Sequence, residues 1–330
     1  MWNKVVKGIL VKRKITIFVM INHKLKFKFE IMKKNLLLVV ALFLATTMSA
    51  QLYVGAKLGY GLGANKYEAG TELKGSRKID AVGDVSDNTF NKSIVWGSMG
   101  QGLQLGAKVG YFFNDNIGFE LGIDYFMSAE GTIADVDVIN NQQVGATTYL
   151  EFPYVYSVTA KSNQLRLTPQ LVMKTDMGAY TRFGIVVPVM GKTVVTSSEQ
   201  DPGFNGTAVT KQTTDIEIEY KGKFSIGFAG ALGYEYELSD NLKLFGEVQY
   251  TGLTIRGASS TITKYEIDGA DQLPALTTIQ KETTFVDELN ASSNNKEYND
   301  TPDASKAQDK LRSSTVYSSY GFNVGVNFAF

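Results

Sequence analysis

The sequence predicts an all-β chain: an eight-stranded antiparallel up-and-down transmembrane β-barrel with long extracellular loops. Three observations predict it. Eight segments alternate residue by residue between a bulky apolar set and a small or polar set, the period of a strand with two unlike faces. Three tight turns alternate strictly with four long polar connections, the layout of a membrane barrel. Beyond Ala50 no run of 18 apolar residues occurs, so a membrane crossing has to be made by a closed barrel rather than a helix.

The first strand, about 52–64, puts Leu52, Val54, Leu58, Tyr60 and Leu62 on one face and Tyr53, Gly55, Lys57 and Gly59 on the other. A polar segment, about 65–97, follows. The second strand, about 102–113, repeats the pattern: Gly55-Ala56-Lys57-Leu58-Gly59-Tyr60 recurs as Gly106-Ala107-Lys108-Val109-Gly110-Tyr111, one pleat used twice rather than a ligand motif. Asn114-Asp115-Asn116 is a tight turn. The third strand, from Ile117 to Met127, carries Glu120 and Asp124 on its polar face. The second long connection, about 130–162, reads as a hairpin, with 132–139 and 145–158 flanking Asn140-Asn141.

The fourth strand, 163–173, presents Arg166 opposite its leucines, and Pro169 predicts a bulge there. After the turn Thr175-Asp176-Met177-Gly178, the fifth strand sets Phe183, Ile185, Val187 and Val189 against Tyr180 and Arg182. A loop is expected over about 197–215. The sixth strand is read as starting at Phe224, with Ile226, Phe228, Leu232, Tyr234 and Tyr236 apolar and Glu235 and Glu237 opposite. Ser239-Asp240-Asn241 turns into the seventh strand, where Lys243 and Glu247 share the polar face. The longest connection, about 257–314, is rich in Ser, Thr, Asn, Asp and Lys. The eighth strand is read as one piece, 315–330.

Either face of such a barrel can point inward. A soluble lipocalin-like barrel buries the apolar face, and a membrane barrel exposes it. Eight strands leave an interior just wide enough for side chains to fill. Here the polar face is built mostly of Gly, Ser and Ala, which suits a crowded lumen, and the apolar face is bulky throughout, which suits lipid. Aromatic residues at strand ends (Tyr60, Tyr111, Phe113, Tyr125, Tyr234, Tyr236 and Tyr250) fit interfacial girdles. The membrane orientation then predicts ten barrel-interior charges: Lys57, Lys108, Arg166, Arg182 and Lys243 against Glu120, Asp124, Glu235, Glu237 and Glu247. Five of each sign in a narrow lumen are expected to pair as a plug, with Arg166 and Arg182 drawing carboxylates such as Glu120. A charged solute path is the alternative.

The 33 basic and 33 acidic residues balance over the whole chain, but residues 1–50 hold ten of the bases and a single acid, Glu30. The remainder has a net charge of −9, which disfavours nucleic acid as a partner. Lys33 and Lys34, the apolar run 36–45 and Met48-Ser49-Ala50 read as a signal peptide cleaved near Ala50. Residues 1–31 are an awkward preface to it, and translation is expected to begin at Met32. The exported part, 51–330, is expected to be one barrel domain with none after it.

The final strand alternates Tyr320, Phe322, Val324, Val326, Phe328 and Phe330, with Ser318 the one break before them, and ends on an aromatic residue. In this pattern the region from Gln51 to Phe330 resembles the outer-membrane β-barrels of Gram-negative bacteria, small OmpA-like or porin-like barrels among them. The resemblance implies residence in the outer membrane, contact with its lipid and lipopolysaccharide, and insertion by the barrel assembly machinery. It makes Phe322, Val324, Val326, Phe328 and Phe330 the C-terminal assembly signal.

Enzymatic function is not expected. The only histidine, His23, precedes the cleavage site, and the chain has no cysteine. That removes Ser–His–Asp triads, Cys nucleophiles, His/Cys metal sites and disulfides. The outer-membrane phospholipases, deacylases and proteases that share this architecture need a catalytic His. Asp300, Asp303 and Asp309 match no calcium-loop spacing and read as solvated loop charges. No cofactor is implied. The expected role is structural or interactive, with the loops meeting an unidentified extracellular ligand. The rivals are a small passive pore and a soluble ligand-binding barrel.

Overall fold

The computed structural model describes residues 51–64 and 66–330. The signal-peptide reading therefore lies outside the described residues. Eight strands form a closed circuit: β1 (Gln51–Gly63), β2 (Gly102–Phe112), β3 (Ile117–Ser128), β4 (Tyr149–Lys174), β5 (Ala179–Phe204), β6 (Gly227–Ser239), β7 (Leu242–Gly252) and β8 (Ser319–Ala329). Each pairs antiparallel with the next, and β8 returns to β1 through the register Tyr53↔Ala329 to Gly63↔Ser319. Among the described residues every strand of this ring has a ladder partner on both sides over part of its length.

The alternation that makes these segments strands also sorts their faces. Along β3, Ile117, Phe119, Leu121, Ile123 and Tyr125 are exposed, whereas Gly118, Glu120, Gly122, Asp124 and Phe126 are buried. The same inversion holds around the ring: the bulky apolar sets point out and the polar sets point in. Tight turns close one end. Asn114 Oδ1 accepts hydrogen bonds from the backbone N–H groups of Asn116 (3.0 Å) and Ile117 (2.7 Å). Gly178 takes φ +91°, and a Cβ there would lie 2.4 Å from the Glu235 carbonyl, so the second turn requires glycine.

At the other end the structure departs from the sequence reading. The second connection is the expected hairpin, Gly131–Gln143 against the outer part of β4, but the other three long connections also hold strands where loops were expected. β4 and β5 run on past the ring as the centre of an open sheet. On one side of them lie Gly131–Gln143, then Tyr67–Ile79 in parallel, then Asn91–Gly97. On the other lie Val209–Gly222, Thr254–Ile267, Glu282–Val286 and, parallel to the last, Gln308–Leu311. These strands are half-polar on both faces, so the apolar alternation that marks the ring is missing from them.

Smaller differences have local causes. The expected hairpin turn at Asn140-Asn141 is inside a strand, because pairing continues to Gln143↔Tyr149. The register shift in β4 falls between Leu165 and Arg166, opposite Pro188 to Met190, not at Pro169, which keeps its rung with Leu121. The final segment is not continuous. Ser314–Val316 pairs with Thr254–Arg256, and Ser318 Oγ accepts the Leu253 N–H, so β8 begins only at Ser319. β6 begins at Gly227, leaving Phe224 and Ile226 ahead of it.

Candidate functional site

The polar face of the ring is filled by layers of hydrogen-bonded and ion-paired side chains. Its centre is Arg182 on β5, whose guanidinium forks between Glu120 on β3 and Glu247 on β7. Both carboxylates are further bound. Glu120 accepts the Tyr53 hydroxyl (2.8 Å) and pairs with Lys108 (3.1 Å). Glu247 accepts the Tyr180 hydroxyl (2.7 Å) and the Asn323 amide (2.8 Å). Side chains from β1, β2, β3, β5, β7 and β8 therefore meet around two carboxylates and two cations. Lys108 also lies 4.1 Å from the centre of the Phe245 ring.

One layer further from the tight turns, Lys57 pairs with Asp124 (2.9 Å), and Thr168 donates to Asp124 (3.1 Å). The repeated Gly-Ala-Lys motif is explained here. In the β1–β2 register Lys57 lies across from Gly106, and Lys108 across from Gly55. A Cβ at Gly106 would sit 2.7 Å from Lys57 Cε and 2.2 Å from Asp124 Oδ1. Each lysine thus crosses the glycine of the other copy.

Arg166 corrects the expectation of a paired carboxylate. Among the described residues none lies within ion-pair distance of it. Its guanidinium stacks 4.0 Å from the centre of the Phe126 ring, and its Nε donates to Gln164 (2.9 Å). A planar guanidinium is suited to such stacking. Above it the interior turns apolar: Met99, Phe126, Ala160, Val186, Ala229, Leu253 and Tyr317 form a buried cluster, three of them contributed by segments outside the ring strands.

The remaining predicted charges sit at the tight-turn end. Glu235 accepts from the Asn327 amide (2.6 Å), and Lys243 pairs with Glu237 (2.6 Å). Glu237 is exposed, because it projects past the rim on the last rungs of β6; it is not an interior charge. Of the ten predicted residues, Lys57, Lys108, Glu120, Asp124, Arg166, Arg182 and Glu247 are buried. The sequence reading did not name Tyr53, Tyr180, Thr168 and Asn323 as partners, although all four share the inward parity of the charges. Phe322, Val324, Val326, Phe328 and Phe330 all face outward and exposed, and the Phe330 N–H closes on the Leu52 carbonyl (3.0 Å).

Among the described residues, no three Asp, Glu, His or Cys side chains converge as metal ligands. No helix among them is long and apolar enough to cross a membrane.

Comparison with known proteins gives a family match and matches among solved structures. A family model described as the OmpA-like transmembrane domain matches residues 47–270. Among solved structures, the outer membrane protein OprG from Pseudomonas aeruginosa is similar at 15% identity, covering 86% of this chain and 96% of that one with a TM-score of 0.35. At that distance the likeness says nothing about ligand or activity. No curated protein matches.

Proposed function

We propose a function from one premise: the chain belongs to the family of OmpA-like transmembrane domains, a family of outer-membrane β-barrels. The ring of eight strands is the membrane-spanning barrel. Its tight turns face the periplasm and the open sheet stands outside the cell. The role is structural and interactive rather than catalytic: the barrel anchors the sheet, and the sheet presents a surface to an extracellular ligand.

The observation that carries this reading is the inversion of faces. Exposing apolar side chains on every ring strand is unfavourable in water and favourable in hydrocarbon. β2 and β8 have eleven residues each, the length of a tilted strand crossing a bilayer. Buried charges in the lumen are supported by partners, as a water-poor interior requires. The same filling speaks against a porin-like pore, since the ion network and the apolar cluster above it occupy the ring interior.

The orientation is tested by single cysteines in intact cells. Asn205→Cys and Lys296→Cys should react with an impermeant maleimide, and Asp115→Cys and Asp240→Cys should not. The reverse pattern would invert the topology. The purified barrel in a planar bilayer should show no sustained conductance; a stable open channel would favour the pore. Phe330 acts in assembly: its deletion should leave exported protein out of the membrane fraction, and normal membrane levels would remove that role.

A further inference from the structure

The ring is not equally knit all round. The β5–β6 ladder has eight rungs, Tyr234↔Ala179 to Gly227↔Val186, and the other seven have ten or more. On the same side of β5, pairing resumes only at Thr193↔Tyr220 with the outer strand. Between Val186 and Thr193 β5 has no ladder partner on this side among the described residues. The chain that would fill the gap, Lys223 to Ile226, is drawn away: the Lys223 N–H bonds the Arg256 carbonyl instead (2.7 Å).

A cavity of about 460 Å³ occupies this seam. It lies where the apolar belt of the ring gives way to the polar sheet. Its mouth is apolar below and basic above. Met190 (70% exposed), Phe224 (73%) and Val189 are outward and uncovered. Lys192, Lys221 and Lys223 rim the other side; Glu219 lies 2.6 Å from Lys192 and 3.8 Å from Lys221, Glu217 also acts on Lys192, and Asp287 faces Lys223 at longer range. Backbone polar groups left unpaired next to hydrocarbon need a polar partner. An apolar patch beside three clustered cations, with Lys223 in no ion pair among the described residues, fits a molecule with the same division.

We infer that this seam binds one phosphate-bearing, acylated amphiphile of the surrounding outer leaflet. Its acyl chains lie against Val189, Met190 and Phe224, and its phosphate sits on Lys192, Lys221 and Lys223. The site rests on the membrane reading above and goes beyond it by fixing where on the barrel an anionic lipid is held. Juxtamembrane lysines near an anionic surface act together, so removing three should cost about tenfold to a hundredfold in retention.

Native mass spectrometry of the folded barrel released from micelles reads this directly. The micelles would be doped in turn with diphosphorylated lipid A, phosphatidylglycerol and phosphatidylcholine. The unmodified barrel should retain one lipid A, with phosphatidylcholine at least about tenfold weaker. The K192Q/K221Q/K223Q variant should lose that preference, and Phe224→Ser with Met190→Ser should weaken retention of every lipid. The matched-charge variant K74Q/K78Q/K264Q, on the outer sheet, should bind as the unmodified barrel does. Equal retention of phosphatidylcholine, or an unchanged seam variant, would overturn the site. So would an equal loss in the matched-charge control, or full displacement by inorganic phosphate alone. Vesicle flotation separates the two readings: protein that floats but shows no lipid preference overturns the seam site only, and protein that does not float overturns the membrane reading and the site with it.

Discussion

The lumen and the outer sheet both pair acids with bases, in opposite surroundings. Arg182 and its two carboxylates are at most 2% exposed. Lys74 with Glu72 and Lys78 with Asp87 are roughly half exposed. In the lumen the charges have left water, so an unpaired one is costly; Arg166, stacked on Phe126 and bonded to Gln164, is the one buried cation without a carboxylate partner among the described residues. In the sheet, water screens the same attraction and competes for the same atoms. The lumen pairs therefore fix which side chains fill the barrel. The sheet pairs decorate a structure held by its ladders.

The largest difference should appear on removing Arg182. Arg182→Met leaves Glu120 and Glu247 buried without their shared cation. Loss of one member of a buried ion network costs about 3–5 kcal/mol. Urea unfolding of the refolded barrel in micelles should show that loss. The triple variant R182M/E120Q/E247Q should recover most of it, because the stranded charges are gone as well. Equal instability of single and triple variants would mean that the shape of Arg182, not its charge, is what the lumen needs.

A second contrast concerns space. Gly106→Ala drives a methyl toward Lys57 and Asp124, which are held together at 2.9 Å and have little freedom to move. Overpacking of this kind costs roughly 1–3 kcal/mol. Gly145→Ala, in the bend that joins Gly131–Gln143 to β4, meets nothing nearer than Thr148 at 3.7 Å and should be close to neutral. Thermal unfolding of the two variants side by side measures the difference. A neutral Gly106→Ala would show that the lumen is looser than its contacts imply.

The lumen was legible in the sequence for the same reason that it is sensitive. A strand has a strict period of two, so Lys57, Lys108, Glu120, Asp124, Arg182 and Glu247 were assigned to one face by counting. Parity assigns a face but not a reach. It could not tell that Arg166 would stack on Phe126, or that Glu237, on the correct face, would clear the rim. Apart from the hairpin of the second connection, the outer strands were illegible because both of their faces are half-polar, so no apolar alternation marks them. The seam was hidden for the converse reason. Phe224 and Ile226 continue the apolar alternation of β6, but a hydrogen bond from Lys223 to Arg256 takes that chain off the ring. Side-chain pattern reports burial and exposure; it does not report which backbone is paired.

The smallest effect, and the one that sharpens the comparison at its exposed end, is expected at Asp287. Its carboxylate joins two segments of the outer sheet, accepting from Arg312 Nε (2.8 Å) and Arg256 (2.7 Å). The hydrogen bond from Arg312 is the main cause that holds its pKa below the ordinary aspartate value. A carboxyl depressed in the folded state binds its proton more readily when that region opens. Its contribution is thus fully present above the ordinary aspartate pKa, about 4, and fades as pH falls through the lower folded value. Hydrogen exchange over 282–312 should therefore lose some protection below about pH 4. The Asp287→Asn variant should begin less protected at neutral pH and lack this acid-dependent step. The change should stay local and small, because the group is open to solvent and salt weakens it. Identical exchange profiles for the two proteins between neutral and acid pH would show that this pair, like many at a surface, contributes nothing measurable to holding the sheet.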